Sequence, residues 1–202
     1  MNALTVFNGF YDKFRTSDLW INMLNTRENS PWHREENVAE HTRMVIDWYK
    51  RALLKNRGER QQMLTLLACL FHDVGKPECE TRLYHPDIGA YRSYAGHSKA
   101  SAKQWLNFAM SESNVSALQP LELDADDVAN IALMIEYHAP FKMELDAMVE
   151  LKRTMLARMG ESGVRAWLDF LLADQYGRHA DRHFKDIVEV SEWVCQWEEI
   201  KF

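Results

Sequence analysis

The chain of 202 residues has only three cysteines, at positions 69, 79 and 195. An odd, scattered set forms no disulfide framework and no paired-cysteine metal motif, and it suits a reducing compartment. Positive charge is also short: 24 Lys and Arg against 30 Asp and Glu leave a formal net charge of -6. That balance offers no electrostatic footprint for wrapping long duplex nucleic acid. It leaves room for a nucleotide or an RNA end as substrate, because a metal can supply local positive charge. No apolar run is long enough to span a membrane. The start, "MNALTVFNGFYDKF", lacks the basic, apolar and cleavage regions of a signal peptide, so the expectation is a cytoplasmic protein. Repeats, low-complexity stretches and linkers are missing too. With 47% hydrophobic residues, one domain spanning 1–202 can bury a sizeable core.

What is present reads mostly at helical period. "ALTVFNGFYDKF" and "SDLWINMLN" predict two short helices, the second capped by Ser17. A loop, "TRENSPWHREE", follows. "NVAEHTRMVIDWYKRALL" predicts a helix capped by Asn37, with Val38, Met44, Val45, Trp48 and Ala52 on its apolar side. "RQQMLTLLACLFHDVG" is apolar nearly all round, as a buried helix is. Helical pattern breaks at "ETRLYHPDIGAYRSYAG", which predicts a small hairpin or ordered loop near residues 80–96. Helices resume at "HSKASAKQWLNFAM". "ALQPLELD" reads as a connector, with Asp124 the cap for "ADDVANIALMIEYH" and "ELDADD" a solvated helix start. Gly160 is a plausible stop between "ELDAMVELKRTMLARMG" and "ESGVRAWLDFLLADQYGRH", and "FKDIVEVSEWVCQWEEI" completes an all-α chain.

Polar groups end several of these apolar stretches. His41 follows "NVAE", His72-Asp73 ends "LLACLF", His97 opens a helix, His138 ends "IALMIEY", and Asp174 ends "AWLDFLLAD". Imidazole and carboxylate ligate Mn, Fe, Ni, Co, Zn or Mg, and a helical bundle can bring such distant residues into one cavity. Neighbouring residues on a helix point about 100° apart. His72 and Asp73 can therefore share an ion only at the helix end, where Gly75 and Pro77 break the chain.

His41, His72-Asp73 and Asp174 form a pattern that resembles the HD-domain metal-dependent phosphohydrolases. "PWHREENVAEHT", "LFHDVGKPE", "YAGHSKASA", "IEYHAPF" and "LADQYGR" fall in the order of the HD module of bacterial tRNA nucleotidyltransferases, over about 32–180. The chain has no room for the nucleotidyltransferase domain itself. The resemblance implies an all-α HD-domain helical bundle with His41, His72, Asp73 and Asp174 as metal ligands. It implies one or two divalent ions: His97 and His138 either help hold a second or face the phosphate. Asp73 can bridge two ions with its two oxygens. Lys76 and Arg178 are candidate phosphate contacts.

Each residue also has a plainer reading. His41 and His138 alone would pass for satisfied core histidines. His97 could simply bond backbone groups, Lys76 could be a solvated residue near a helix end, and Arg178 could pair with Asp181. His33 and Glu35, in the loop before the first ligand helix, could contact substrate or be ordinary loop polars; His85, His179 and His183 read as surface residues, and Cys69 as a buried structural thiol. Trp32 could stack a base or pack on the bundle. The other tryptophans sit on helical patterns and read as core. The joint pattern favours a metal site, and the resemblance implies an enzyme acting on phosphate esters of nucleotides or RNA ends, of the 2′,3′-cyclic phosphodiesterase or phosphatase type. The alternatives are a 5′-nucleotide or deoxynucleoside-triphosphate phosphohydrolase and a non-catalytic nucleotide-binding protein. A structural subunit of an RNA-processing assembly has only the aromatic content behind it. No pattern sets an oligomeric state.

Overall fold

At the centre lies the helix that the sequence marks as apolar all round. In the computed structural model this helix, α4 (Glu59–Phe71), is buried without interruption from Met63 to Phe71. The structure describes residues 2–28, 33–87, 89–140, 143–179 and 183–200, with backbone alone at 183–189 and 191. Before α4 come α1 (Ala3–Phe14), α2 (Asp18–Asn25) and α3 (Val38–Ala52). After it come α5 (Lys76–Cys79), β1 (Thr81–His85), β2 (Gly89–Ser93), α6 (His97–Met110), α7 (Val115–Leu118), α8 (Ala125–Glu136), α9 (Leu145–Tyr176) and α10 (His183–Glu199). The strands form one antiparallel hairpin, with Leu83 opposite Tyr91 and His85 opposite Gly89. The architecture is mainly helical with this one small sheet among the described residues. No helix in them is long and apolar enough to cross a membrane.

Local chemistry sets the helix starts. Ser17, Asn37 and Asp124 each accept a bond from the backbone N–H three residues on, satisfying a donor the helix leaves free. Gly160, at φ +63°, breaks α9 between 145–159 and 161–176, where the sequence predicts a stop. The predicted connector at 117–124 is more ordered than expected, because the end of α7 and a 3₁₀ turn, Gln119–Leu121, occupy residues 117–121; another 3₁₀ turn, Glu112–Asn114, precedes α7. Asp127 is buried against the Arg60 guanidinium and in a capping box with Asp124, so "ELDADD" is only partly solvated.

Around α4 pack α1, α3, α8 and α9. Phe10, Phe14, Phe71, Trp105 and Phe108 form an aromatic cluster, with the Phe14 and Phe71 centroids 4.7 Å apart. Trp167, Trp193 and Trp197 join α10 to α9. The buried face of α3 is rotated from the predicted one. Val38, His41, Thr42, Val45, Ile46 and Tyr49 point inward, Met44 and Trp48 are half-buried, and Ala52 is exposed. Trp48 stacks on Tyr176 instead. The rotation turns His41 toward the end of α4.

Two glycines bring backbones together beside that end. A Cβ at Gly75 would lie 2.5 Å from the Ser101 nitrogen on α6, and the Gly75 N–H donates to Ser101 Oγ at 2.9 Å. A Cβ at Gly177 would lie 2.5 Å from the Val45 Cα on α3. The turn after α4 thus docks on α6, and the end of α9 docks on α3.

Candidate metal centre

Polar groups from five segments converge where α4 ends. α3 supplies His41, the residues just past α4 supply His72 and Asp73, the start of α6 supplies His97, the turn after α8 supplies His138, and α9 supplies Asp174. All but His97 are buried; the His97 side chain, 21% exposed, is the most open of the six. His41 Nε2 lies 3.1 Å from Asp174 Oδ1 and 3.3 Å from His72 Nε2. Asp73 turns its two oxygens to different neighbours. Its Oδ2 is 3.1 Å from His72 Nε2, and its Oδ1 is 3.3 Å from His97 Nε2. His97 Nε2 and His138 Nε2 are 3.0 Å apart. Three triads of potential ligands result: His41-His72-Asp174, Asp73-His97-His138, whose Asp73 also faces His72, and His33-Glu35-His41 on the far side of the His41 ring.

The outer nitrogens decide the chemistry. His72 Nδ1 donates to the Cys69 carbonyl at 2.8 Å, His97 Nδ1 to Tyr94 at 2.7 Å, and His138 Nδ1 to Ile135 at 2.7 Å. A carbonyl only accepts, so each Nδ1 carries a proton and each ring turns its Nε2 to the centre. The His97 and His138 lone pairs then face each other at 3.0 Å with no proton between them. Burial lowers the His97 pKa, and burial with repulsion from His97 and His72 lowers that of His138 to about 3. Neither Asp73 oxygen has a well-directed hydrogen-bond donor among the described residues. A buried group of acceptors with too few donors is costly unless a cation sits among them. The residues therefore fit a divalent ion, and their imidazole-carboxylate chemistry suits Mn, Fe, Co, Ni or Zn.

His41 differs from the other rings. Burial opposes its charge, but the hydrogen bond with Asp174 and the nearby Glu35 carboxylate outweigh burial and raise its pKa to about 9. Asp73 and Asp174 stay ionised despite burial. The former is held far below the usual carboxylate range by His72 and Lys76, the latter by its His41 bond and the Arg178 charge.

Lys76 does not stand free for a phosphate as the sequence suggests. It is buried, with its ammonium 2.7 Å from Glu28 Oε1 and 2.8 Å from Asp73 Oδ2. Burial disfavours the charge, yet the two carboxylates hold the pKa above its ordinary value. Asp73 is close by on the same turn and Glu28 arrives from the loop after α2, so both reach the ammonium before any solute can. Arg178 is half-buried, donates to Gln175 Oε1, and keeps a buried Nε with no partner among the described residues. Trp32 and Asp181 lie outside the described residues, as does the side chain of His183. His85 and His179 are exposed and Cys69 is buried, each as read from the sequence.

Two carboxylates were not legible as parts of this centre. Glu28, the counter-ion of Lys76, lies 48 residues away in a loop with no periodic relation to it. Glu35 reads as a substrate contact or an ordinary loop polar, but it is buried beside His41 and His33. Its only sequence signal is an acidic residue in "HREEN", just before a ligand-bearing helix. Comparison with family models, curated proteins and solved structures returned no match. The geometry itself therefore carries the reading: a buried His and Asp cluster that could hold metal.

Proposed function

We propose that the chain is an HD-type metal-dependent phosphohydrolase acting on phosphate esters of nucleotides or RNA ends. The observation that carries this reading is the division of Asp73, one oxygen toward His72 and the other toward His97, within a buried cluster of potential ligands. His41, His72, Asp174 and Asp73 Oδ2 would hold one ion; Asp73 Oδ1, His97 and His138 would hold a second. A divalent pair supplies activation of water at neutral pH and charge neutralisation at phosphate oxygens.

The chain's own residues do the rest. Lys76 fixes the Asp73 carboxylate and balances its charge from below, a positioning role in place of the phosphate contact expected of it. Arg178 lies four residues beyond Asp174 and presents a guanidinium suited to a phosphate edge. His97 is the most open of these ligands, so the phosphate enters past α6. The burial of the other ligands excludes bulk water, which strengthens every charge interaction inside. The choice of 2′,3′-cyclic phosphates and 2′-nucleotides over 5′-nucleotides or triphosphates rests on the resemblance to the tRNA-enzyme module.

Hydrolysis of a nucleotide panel tests the proposal. Cyclic, 2′-, 3′- and 5′-monophosphates, triphosphates and cyclic dinucleotides are each incubated with Mn²⁺, Co²⁺, Ni²⁺, Mg²⁺ or chelator. Metal-dependent turnover that disappears in Asp73→Ala is expected. A folded, metal-loaded protein that turns over none of them but binds one would favour a nucleotide-binding protein.

A further inference from the structure

His41 is the one ring of the cluster whose outer nitrogen faces a carboxylate. His72, His97 and His138 each use a backbone carbonyl three residues back. His41 sits in the first turn of α3, facing inward and away from such a carbonyl. Its Nδ1 lies 3.4 Å from Glu35 Oε1 instead, an ion-pair contact in which Nδ1 has no well-directed hydrogen-bond partner among the described residues. Glu35 is 3% exposed, from the loop before α3. The same Oε1 accepts the His179 N–H at 2.8 Å, and the Arg34 N–H donates to the His179 carbonyl at 2.8 Å. Glu35 Oε2 lies 3.5 Å from His33 Nδ1 and has no well-directed donor among the described residues.

From this geometry we infer that Glu35 is a positioning residue for the metal centre: it orients His41, fixes its tautomer and makes it a stronger ligand. The inference rests on the metal-site reading above, but on no particular substrate. A carboxylate behind a ligating imidazole keeps the proton on the outer nitrogen, so the inner nitrogen presents its lone pair. It also makes the ring more basic, and so a better donor to a cation. The backbone clamp adds a second effect. Glu35 ties the loop at 33–35 to residue 179, just past the end of α9, and α9 carries Asp174, the other ligand against His41. One buried carboxylate thereby sets both the rotation of His41 and its distance from Asp174.

The test is cobalt(II) binding to the full chain, followed by calorimetry and by the visible absorption of the bound ion, with no substrate present. Glu35→Gln keeps the shape and a carbonyl acceptor for the His179 N–H and His41 Nδ1, but removes the charge. Cobalt affinity is expected to fall about 10- to 100-fold, the usual effect of losing an outer-shell partner. Glu35→Ala should lose at least as much and show altered absorption bands, because the ring is free to turn. A folded Glu35→Gln chain with unchanged affinity and unchanged bands would overturn the inference. Should that variant not fold, the zinc-loaded natural chain decides. A His41 Nδ1 proton shifted far downfield in the NMR spectrum is expected, and a His41 metallated through Nδ1 would overturn the inference. Failure of cobalt to bind the natural chain at all would overturn the metal site with it. Failure of the hydrolysis panel alone would leave this inference standing.

Discussion

Raising the pH of the metal-free protein from 6.5 to 9 should weaken it, and His41 sets the size of the effect. Its pKa rises from 6.5 in the unfolded chain to about 9 in the fold, because attraction to the Asp174 and Glu35 carboxylates exceeds the cost of burial. The folded state therefore holds a proton that the unfolded chain releases. This contribution is complete below pH 6.5 and is lost as pH climbs through about 9. A rise of that size at about 1.4 kcal/mol per pH unit corresponds to on the order of 3 kcal/mol. His138 acts at the other end. Its pKa falls from 6.5 to about 3, so it costs stability only as pH drops below 6.5. Asp73 and Asp174, both depressed, contribute above the usual carboxylate range and lose that contribution only in acid. His41 is the described histidine whose shift runs across the window from 6.5 to 9. Urea unfolding in chelator at several pH values measures the slope, with His41→Asn as the control. Wild type should lose stability across the window and the variant should not. With excess cobalt the trend should flatten or reverse, because the ion displaces the His41 proton and binds more tightly as protons become scarce. A flat profile in chelated wild type would refute the reasoning.

Further consequences concern the supports of the centre. Lys76→Met leaves Glu28 and Asp73 buried without their cation and should cost about 3–5 kcal/mol in urea unfolding. Adding Glu28→Gln should recover part of that loss; no recovery would show that the pair is not coupled. Gly75→Ala drives a Cβ into the α6 backbone and should cost about 1–3 kcal/mol, with weaker metal binding because Asp73 moves with the turn. Phe71→Ala empties the middle of the aromatic cluster and should lower stability by about 3–5 kcal/mol, read as a drop in the urea midpoint.

Much of this architecture was legible because it is local. Ser17, Asn37 and Asp124 cap helices from their own neighbourhoods, and Gly160 breaks α9 through its own backbone. His72 and Asp73 stood out because two polar groups end a helix whose other residues are apolar. The orientation of α3 was not legible. Apolar periodicity gives no weight to inward-facing His41, Thr42 and Tyr49, so the apparent face drifted toward Met44 and Ala52. The burial of Lys76 depends on Glu28, and the role of Glu35 depends on a ring and a backbone N–H brought in by α3 and the end of α9. Such pairings appear only when helices are placed in space.

The most direct test of the centre is a cobalt(II) titration of the chelator-treated natural chain beside Asp73→Asn, read by absorption and by elemental analysis after desalting. The predicted result is saturation at two ions per chain in the natural protein, with the loss of at least one in the variant. Saturation at one ion would contradict the second triad, and the absence of stoichiometric binding would contradict the metal centre itself.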